Sequence, residues 1–132
     1  ALPLAKSDRS VAEGLVGRWG YDTPIALNAL KESKGYAESV SEVEILEAMG
    51  WLARLEGVFA EPSGVTCIAA LPKLIEMGVV DKEEEVVCII TGSGLKDPES
   101  GRKISREPTL VPASVSEIRT ILQKHLTRLK KE

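Results

Sequence analysis

The sequence is poor in aromatic residues, cysteine and histidine, and each shortage excludes a class of protein. Aromatic residues make up 4% of the 132 residues, so a core must be built mainly from Val, Ile, Leu and Ala. That composition is typical of sheets covered by helices. Cys67 and Cys88, the 2 cysteines, stand in apolar surroundings that predict buried thiols, and no short Cys or His spacing suggests zinc. We therefore expect no bound metal, and no disulfide in a reducing cytosol.

Long apolar runs and a dense basic face are missing as well. No run approaches the roughly 20 apolar residues that span a membrane, and residues 1–20 lack a signal-peptide core. The net charge is -3, and the basic residues near the end of the chain are interspersed along one amphipathic segment. These shortages argue against membrane and nucleic-acid partners. They favour a cytoplasmic protein with a single domain over residues 1–132.

Helix boundaries are the clearest positive signals, because apolar-periodic stretches are bracketed by capping residues and glycines. Four helices are predicted. The first follows Asp22-Thr23-Pro24 and ends at Gly35, and the second begins at the capping box of Ser41 and Glu44 and ends at Gly57. The third covers residues 62–77 and ends at Gly78, and the fourth begins at a second capping box, Ser114 and Glu117.

Short strand-like runs lie between these helices, at residues 36–40, 58–61 and 86–91. The last run is apolar throughout, which predicts a strand covered on both faces. Strands that alternate with helices indicate βαβ units, so we expect an α/β fold of three layers with a mostly parallel sheet. Ligands on such sheets bind beyond the carboxyl ends of the strands, where Ser41, Glu61 and Thr91 would meet.

The turn from Thr91 to Pro98 is the most informative stretch. Gly92 and Gly94 directly follow a strand and allow close approach to the backbone. The stretch lacks the spacing of a phosphate-binding P-loop, and glycine content alone favours a structural turn without a ligand. Glu61 is the second candidate, since it stands at a strand end before a helix start that attracts anions, although it can equally be a simple ion-pairing residue.

Other ionisable residues give weaker signals. His125 is the single histidine and lies within the last helix, where a structural or surface role is expected. Several lysines show no distinctive environment, so a solvated side chain is expected for each: Lys6, Lys31, Lys34, Lys73 and Lys82.

Three segments in series, residues 41–49, 56–63 and 91–98, closely resemble the C-terminal part of threonine synthases. Residues 10–15 and 24–33 look like the preceding loop and helix of the same enzymes. That family belongs to the tryptophan-synthase-β-like enzymes, which use pyridoxal phosphate. Its members are lyases of threonine biosynthesis, and they convert O-phosphohomoserine and water to threonine and phosphate. The resemblance covers about residues 10–98, and residues 99–132 are a loosely matching tail with a helix.

The resemblance implies a cofactor-binding set made of Glu61, Thr91, Gly92, Ser93 and Gly94. Thr91 falls where the family places a hydroxyl that hydrogen-bonds the pyridine nitrogen. A neutral hydroxyl leaves that nitrogen largely unprotonated, whereas a carboxylate would hold a proton there. Glu61 would lie at the neighbouring strand end, with the two glycines letting the backbone pass close to the cofactor.

The family's Schiff-base lysine lies in a Ser-Phe-Lys-Asp-like segment that this sequence lacks, since its single Phe is Phe59. The glycine-rich loop for the cofactor phosphate is also absent from the sequence. We therefore expect no catalytic residue here, an inactive isolated chain, and a partner segment that supplies the lysine. A homo-oligomer is the other assembly that the resemblance allows. Two alternatives stay open: a free-standing ligand-binding or regulatory module, and part of a dehydratase or β-replacement enzyme of the same fold.

Overall fold

The computed structural model describes residues 2–3, 9–17 and 19–129, and their regular structure is mostly helical. Lys6 lies outside the described residues. The α-helices are α1 (Thr23–Ser33), α2 (Glu42–Leu55), α3 (Thr66–Glu76), α4 (Pro98–Ile104) and α5 (Val115–Leu129). Strands β1 (Leu2–Pro3) and β2 (Trp19–Gly20) form a short antiparallel ladder. Short 3-10 helices span Glu13–Leu15, Pro62–Val65 and Gly94–Lys96.

The start of α2 confirms the predicted capping box. Ser41 Oγ accepts a hydrogen bond from Glu44 N at 3.3 Å, and Ser41 N donates to Glu44 Oε2 at 2.6 Å. The helix stops before Gly57, whose φ of 68° lies in the left-handed region that glycine adopts at little cost. Helix α1 also begins where predicted, but its left-handed residue is Lys34, with a φ of 52°, and not Gly35.

The predicted helix over residues 62–77 is present in two parts. A 3-10 turn over Pro62–Val65 leads into α3, and the chain then reverses at Gly78, whose φ is 70°. Helix α5 likewise begins directly after Ser114, as predicted, and the Ser114 carbonyl accepts a hydrogen bond from Ile118 N at 3.0 Å. The four predicted helices are therefore present, although Asp22 makes no capping hydrogen bond to α1 and α3 begins only at Thr66.

Helix α4 was not predicted from the sequence, although the sequence contains the residues that start it. Asp97 caps it through Oδ1, which accepts a hydrogen bond from Ser100 N at 3.1 Å, and Pro98 occupies the first helical position. The hydrogen bonds from the side chain and backbone of Ser100 lower the pKa of Asp97. Asp followed by Pro is a standard helix start, but the helix is only 7 residues long and lacks an apolar period.

The core is small and lies between α2 and α3, with α4 packed on the other side of α2. It is rich in alanine, and large side chains contribute less to it than composition suggests. Met49 and Val65 are the large side chains that are fully buried in the described part of the chain. The buried cluster consists of Ala12, Ile45, Ala48, Met49, Ala60, Val65 and Ala69.

The predicted parallel sheet is not formed by the described residues. Residues 36–40 and 86–91 have no regular structure, and of residues 58–61 only Ala60 forms an isolated antiparallel bridge, to Ser93. Val87 is 89% exposed and Ile89 75% exposed, although a covered strand was expected there. A parallel strand is stable only beside a hydrogen-bonded neighbour, and the described residues supply none to this run. The parallel pairing expected of this run therefore stays a prediction, which the described residues do not confirm.

The cysteines differ from expectation for the same reason. Cys67 and Cys88 are free thiols, and both are half-buried rather than buried. Cys88 lies in the run that was expected to be covered on both faces, and α3 covers only part of it. No disulfide links them in the structure.

Helix α5 is amphipathic and its apolar stripe faces solvent. Val115 is 77% exposed, and Leu122 and Leu126 are exposed by more than half. Among the helices of the described residues, none is both long enough and apolar enough to cross a membrane.

Candidate functional site

Two of the stretches singled out in the sequence meet in the structure. Glu61 N donates to the carbonyl of Gly92 at 3.0 Å, and Gly94 N donates to the carbonyl of Phe59 at 2.9 Å. These two bonds flank the Ala60 bridge and hold residues 59–61 antiparallel to residues 92–94. The predicted neighbours are therefore correct, but they join through an antiparallel bridge and not as adjacent ends of parallel strands.

The Glu61 side chain lies directly over the backbone of Gly92. A Cβ atom at position 92 would overlap the Glu61 carboxylate, so a larger residue there would displace the end of that side chain. Lys96 Nζ lies 3.6 Å from Glu61 Oε2 and balances its charge from the next turn of the chain. The Glu61 side chain is 23% exposed and that of Lys96 is 70% exposed, so the carboxylate is sheltered while the ammonium group faces solvent.

Gly64 brings a second piece of backbone against the same turn. A Cβ atom at position 64 would lie 3.2 Å from Gly92 N and 3.3 Å from Thr91 N. The 3-10 turn over residues 62–65 therefore packs on Thr91 and Gly92 at a distance that leaves little room for a side chain. Two glycines from different motifs thus make one close backbone contact.

The ring of Phe59 fixes the far side of the turn. Cβ atoms at Gly94 and Gly101 would lie 2.7 Å and 2.9 Å from ring carbons, so both glycines give the ring its space. Gly101 belongs to α4, so the single Phe of the chain connects the turn to that helix. This contact had no signal in the sequence beyond the presence of a glycine inside a short polar helix.

Thr91 and Ser93 occupy different positions in the turn. Ser93 Oγ accepts a hydrogen bond from Leu95 N at 3.3 Å and caps the 3-10 turn over residues 94–96. Thr91 is exposed and stands immediately before the Glu61 contact. Ser93 is exposed as well, so both hydroxyls of the predicted cofactor-binding set can be reached by solvent or a ligand, and that of Ser93 also caps the local backbone.

Ser41, at the end of the first predicted strand, does not join this site. Its hydroxyl and amide are used by Glu44 in the capping box, and Glu44 in turn contacts Lys73. Lys73 Nζ lies 3.0 Å from Glu44 Oε1 and donates to the Ser39 carbonyl at 3.0 Å. The hydrogen bond from Ser41 N and that from Lys73 lower the pKa of Glu44 to about 2. Lys73, expected to be solvated, instead ties α3 to the start of α2.

Lys96 is the site residue that gave no distinctive signal in the sequence. It follows the two glycines at a spacing that returns its side chain to Glu61, and only the geometry of the turn reveals this. His125 lies exposed on α5, as expected for a surface role.

Comparison with known proteins identifies the class to which this arrangement belongs. The family model described as pyridoxal-phosphate dependent enzyme matches residues 2–92. The chain therefore belongs to the family of pyridoxal-phosphate-dependent enzymes, for which the tryptophan-synthase-β-like α/β fold is implied, although the described residues form no parallel sheet.

Within that family the chain is similar to threonine synthases. It is 45% identical over 102 residues to the threonine synthase of Methanocaldococcus jannaschii, covering 77% of this chain and 25% of the relative. It is 50% identical over 94 residues to that of Methanosarcina acetivorans, covering 71% of this chain and 23% of the relative. For the threonine synthase of Halalkalibacterium halodurans the identity is 43% over 95 residues, with 71% and 26% covered. The resemblance drawn from motifs is confirmed, and the chain spans about a quarter of the length of these relatives.

Proposed function

We propose that this chain is the C-terminal part of a threonine synthase and forms one wall of its pyridoxal phosphate site. The reaction would convert O-phosphohomoserine and water to threonine and phosphate. The observation that carries the proposal is the contact of Glu61 with Gly92 beside the exposed Thr91. It brings together the two motifs that most resemble threonine synthases.

The residues of this turn fit such a cofactor. Gly64, Gly92 and Gly94 let the Glu61 carboxylate and the Phe59 ring pack against the backbone of the turn, so a flat ring would reach the turn at the exposed residue Thr91. Thr91 offers a neutral hydroxyl donor at the start of the turn, suited to an unprotonated pyridine nitrogen. When bound, pyridoxal phosphate supplies the electron sink that elimination and addition reactions at an amino acid require.

Glu61 and Lys96 would act as an orienting pair. The contact with Gly92 and the ion pair with Lys96 hold the carboxylate at a fixed position one residue from Thr91. The hydroxyl of Thr91 is neutral whatever charge lies beside it, so the pair would act on the position of the turn and not on the protonation of Thr91.

We propose that the isolated chain lacks catalysis and that a lysine-bearing segment supplies the missing amine. A Schiff-base lysine must present a free amine inside the site. Lys96 is the lysine of the described residues that contacts the Glu61–Gly92 turn, and its ammonium group is engaged with Glu61 and faces solvent. In the complete enzyme, residues 1–132 would act as one unit beside that segment.

Complementation tests this function directly. The chain would be mixed with pyridoxal phosphate and O-phosphohomoserine, with and without the upstream portion of the Methanocaldococcus jannaschii relative, and threonine and phosphate would be measured. We expect both products, in equal amounts, only from the mixture. Phosphate released together with a 2-oxo acid and ammonia, in place of threonine, would show that elimination is not followed by the addition of water and would contradict the proposal.

Trapping the cofactor tests the assignment of the lysine. Borohydride reduction followed by peptide mapping should place the cofactor on the added upstream portion and leave Lys96 unmodified. Lys96→Arg, which keeps the ion pair but cannot form a Schiff base, should retain activity in the mixture. Threonine formation by the chain alone, with the cofactor attached to Lys96, would refute the claim that the reactive lysine lies elsewhere.

A further inference from the structure

The two cysteines of the chain face each other across the first turn of α3. Cys67 is the second residue of α3, and its Sγ atom lies 3.7 Å from the Gly64 carbonyl and 3.8 Å from the Ile89 carbonyl. The thiol therefore rests against the backbone immediately after Cys88. The contact joins residues 22 positions apart along the chain.

Cys88 contacts Cys67 through its own side chain. Partial burial, the charge of Cys67 and a hydrogen bond between the two side chains raise the pKa of Cys88. Both thiols are half-buried, so neither is sealed inside the core. Small oxidants can reach such a pair, whereas the fully buried thiols expected from the sequence would be inert.

We propose that Cys67 and Cys88 are a modification site, a thiol pair that a peroxide converts to a reversible disulfide. In the first step the deprotonated sulfur of Cys67 attacks one peroxide oxygen, the O–O bond breaks, and a sulfenic acid forms, while the other oxygen leaves as hydroxide and takes up the proton that the thiol had lost, to become water. In the second step the sulfur of Cys88 attacks the sulfenic sulfur, gives up its proton, and releases the second water. Two thiols are oxidised and one peroxide is reduced to two waters. Cys67 takes the first step because Cys88 keeps its proton to a higher pH than an ordinary thiol.

The position of the pair makes this modification consequential. Cys67 stands three residues after Gly64, and Cys88 stands three residues before Thr91. Gly64 itself packs on the backbone of Thr91 and Gly92. A disulfide would therefore tie the two pieces of chain that lead into the Glu61–Gly92 contact. This inference stands independently of the proposed enzymatic role.

Mild treatment with hydrogen peroxide followed by non-reducing peptide mapping tests the proposal. We expect a peptide that joins Cys67 to Cys88 within one molecule, lighter by two hydrogen atoms than the sum of its parts, and lost on adding dithiothreitol. We also expect the midpoint of thermal unfolding to rise by about 5–10 °C on oxidation, since the disulfide closes a loop of about 20 residues.

Single variants provide the controls. Cys88→Ser should leave Cys67 as a sulfenic acid that dimedone traps, and Cys67→Ser should show slower oxidation at Cys88 with no linked peptide. Failure to form the linked peptide in the unmodified protein, or a link only between two molecules, would overturn the proposal. So would an unchanged or lowered unfolding midpoint in the oxidised protein, because the link would then form only in a distorted chain.

Discussion

The contact between Glu61 and Gly92 can be measured by a double-mutant cycle. A Cβ atom at position 92 would overlap the carboxylate carbon and both oxygens of Glu61. Gly92 does not have a positive φ, since Gly57 and Gly78 are the glycines of the described residues that do. Gly92→Ala therefore meets no backbone strain, and its cost comes from the collision alone.

The expected magnitudes follow from that collision. The colliding atoms are the end of a flexible side chain, so the carboxylate can swing away, and Gly92→Ala should cost about 0.5–1 kcal/mol through the shifted rotamer and the weakened ion pair. Glu61→Ala alone should cost less than about 1 kcal/mol, since it removes an ion pair whose cation is largely exposed. In the Glu61→Ala background the alanine at position 92 has room, so the double variant should cost about 0.5–1 kcal/mol less than the sum of the two single variants.

Urea unfolding followed by far-ultraviolet circular dichroism provides the four free energies of unfolding. Gly50→Ala is the matched control, because its Cβ would approach only the flexible end of Arg54, at 3.0 Å, inside helix α2. It should be neutral or stabilise by up to about 1 kcal/mol, since alanine favours helix. Additive costs for Glu61→Ala and Gly92→Ala would refute the placement of the carboxylate over the glycine.

Three further outcomes follow from the structure. The pKa of Glu44 is about 2, below its ordinary 4.5, so its contribution to stability is complete above pH 4.5 and is lost as the pH falls towards 2. In Glu44→Gln the midpoint of thermal unfolding should therefore depend less on pH between 4.5 and 2 than it does in the unmodified protein. Asp97→Ala should destabilise by about 1 kcal/mol through loss of the α4 cap, and Asp97→Asn should cost far less, as urea unfolding can show. In the complementation assay Thr91→Val should lower the rate of threonine formation by about tenfold or more through loss of one hydrogen bond, and Thr91→Ser should retain most of it; equal rates for both variants would count against the proposed hydroxyl.

The helices were predictable because their signals are local. The capping box of Ser41 and Glu44 satisfies amides within one turn, so it acts in the same way whatever surrounds the helix. Gly57 and Gly78 end α2 and α3 for a similar reason, since a left-handed residue needs no distant partner. Helix α4 was missed because its cap precedes too short a stretch to show a period.

The sheet was not predictable in the same way, because a strand depends on its neighbours. The apolar pattern of residues 86–91 predicts a strand, but the hydrogen-bonding partners of a strand are set by other parts of a fold, and the described residues form no strand there. The candidate site was predictable in part, less than the helices and more than the sheet. Motif order placed Glu61 next to the Thr91 turn, while the antiparallel bridge and the ion pair with Lys96 depend on the three-dimensional course of the turn.

The exposed run at residues 86–91 also bears on how this chain behaves in solution. An extended apolar segment with unpaired amides is a template for other chains, and Val87 and Ile89 are largely uncovered. Glu83, Glu84 and Glu85 stand immediately before it. Three negative charges beside this apolar segment repel the same charges on a second copy of the chain, so they act as gatekeeper residues against self-association. The acidic run thus discourages self-association at residues 86–91, and a neighbour with basic residues at its edge would be admitted in preference to a second copy of this chain.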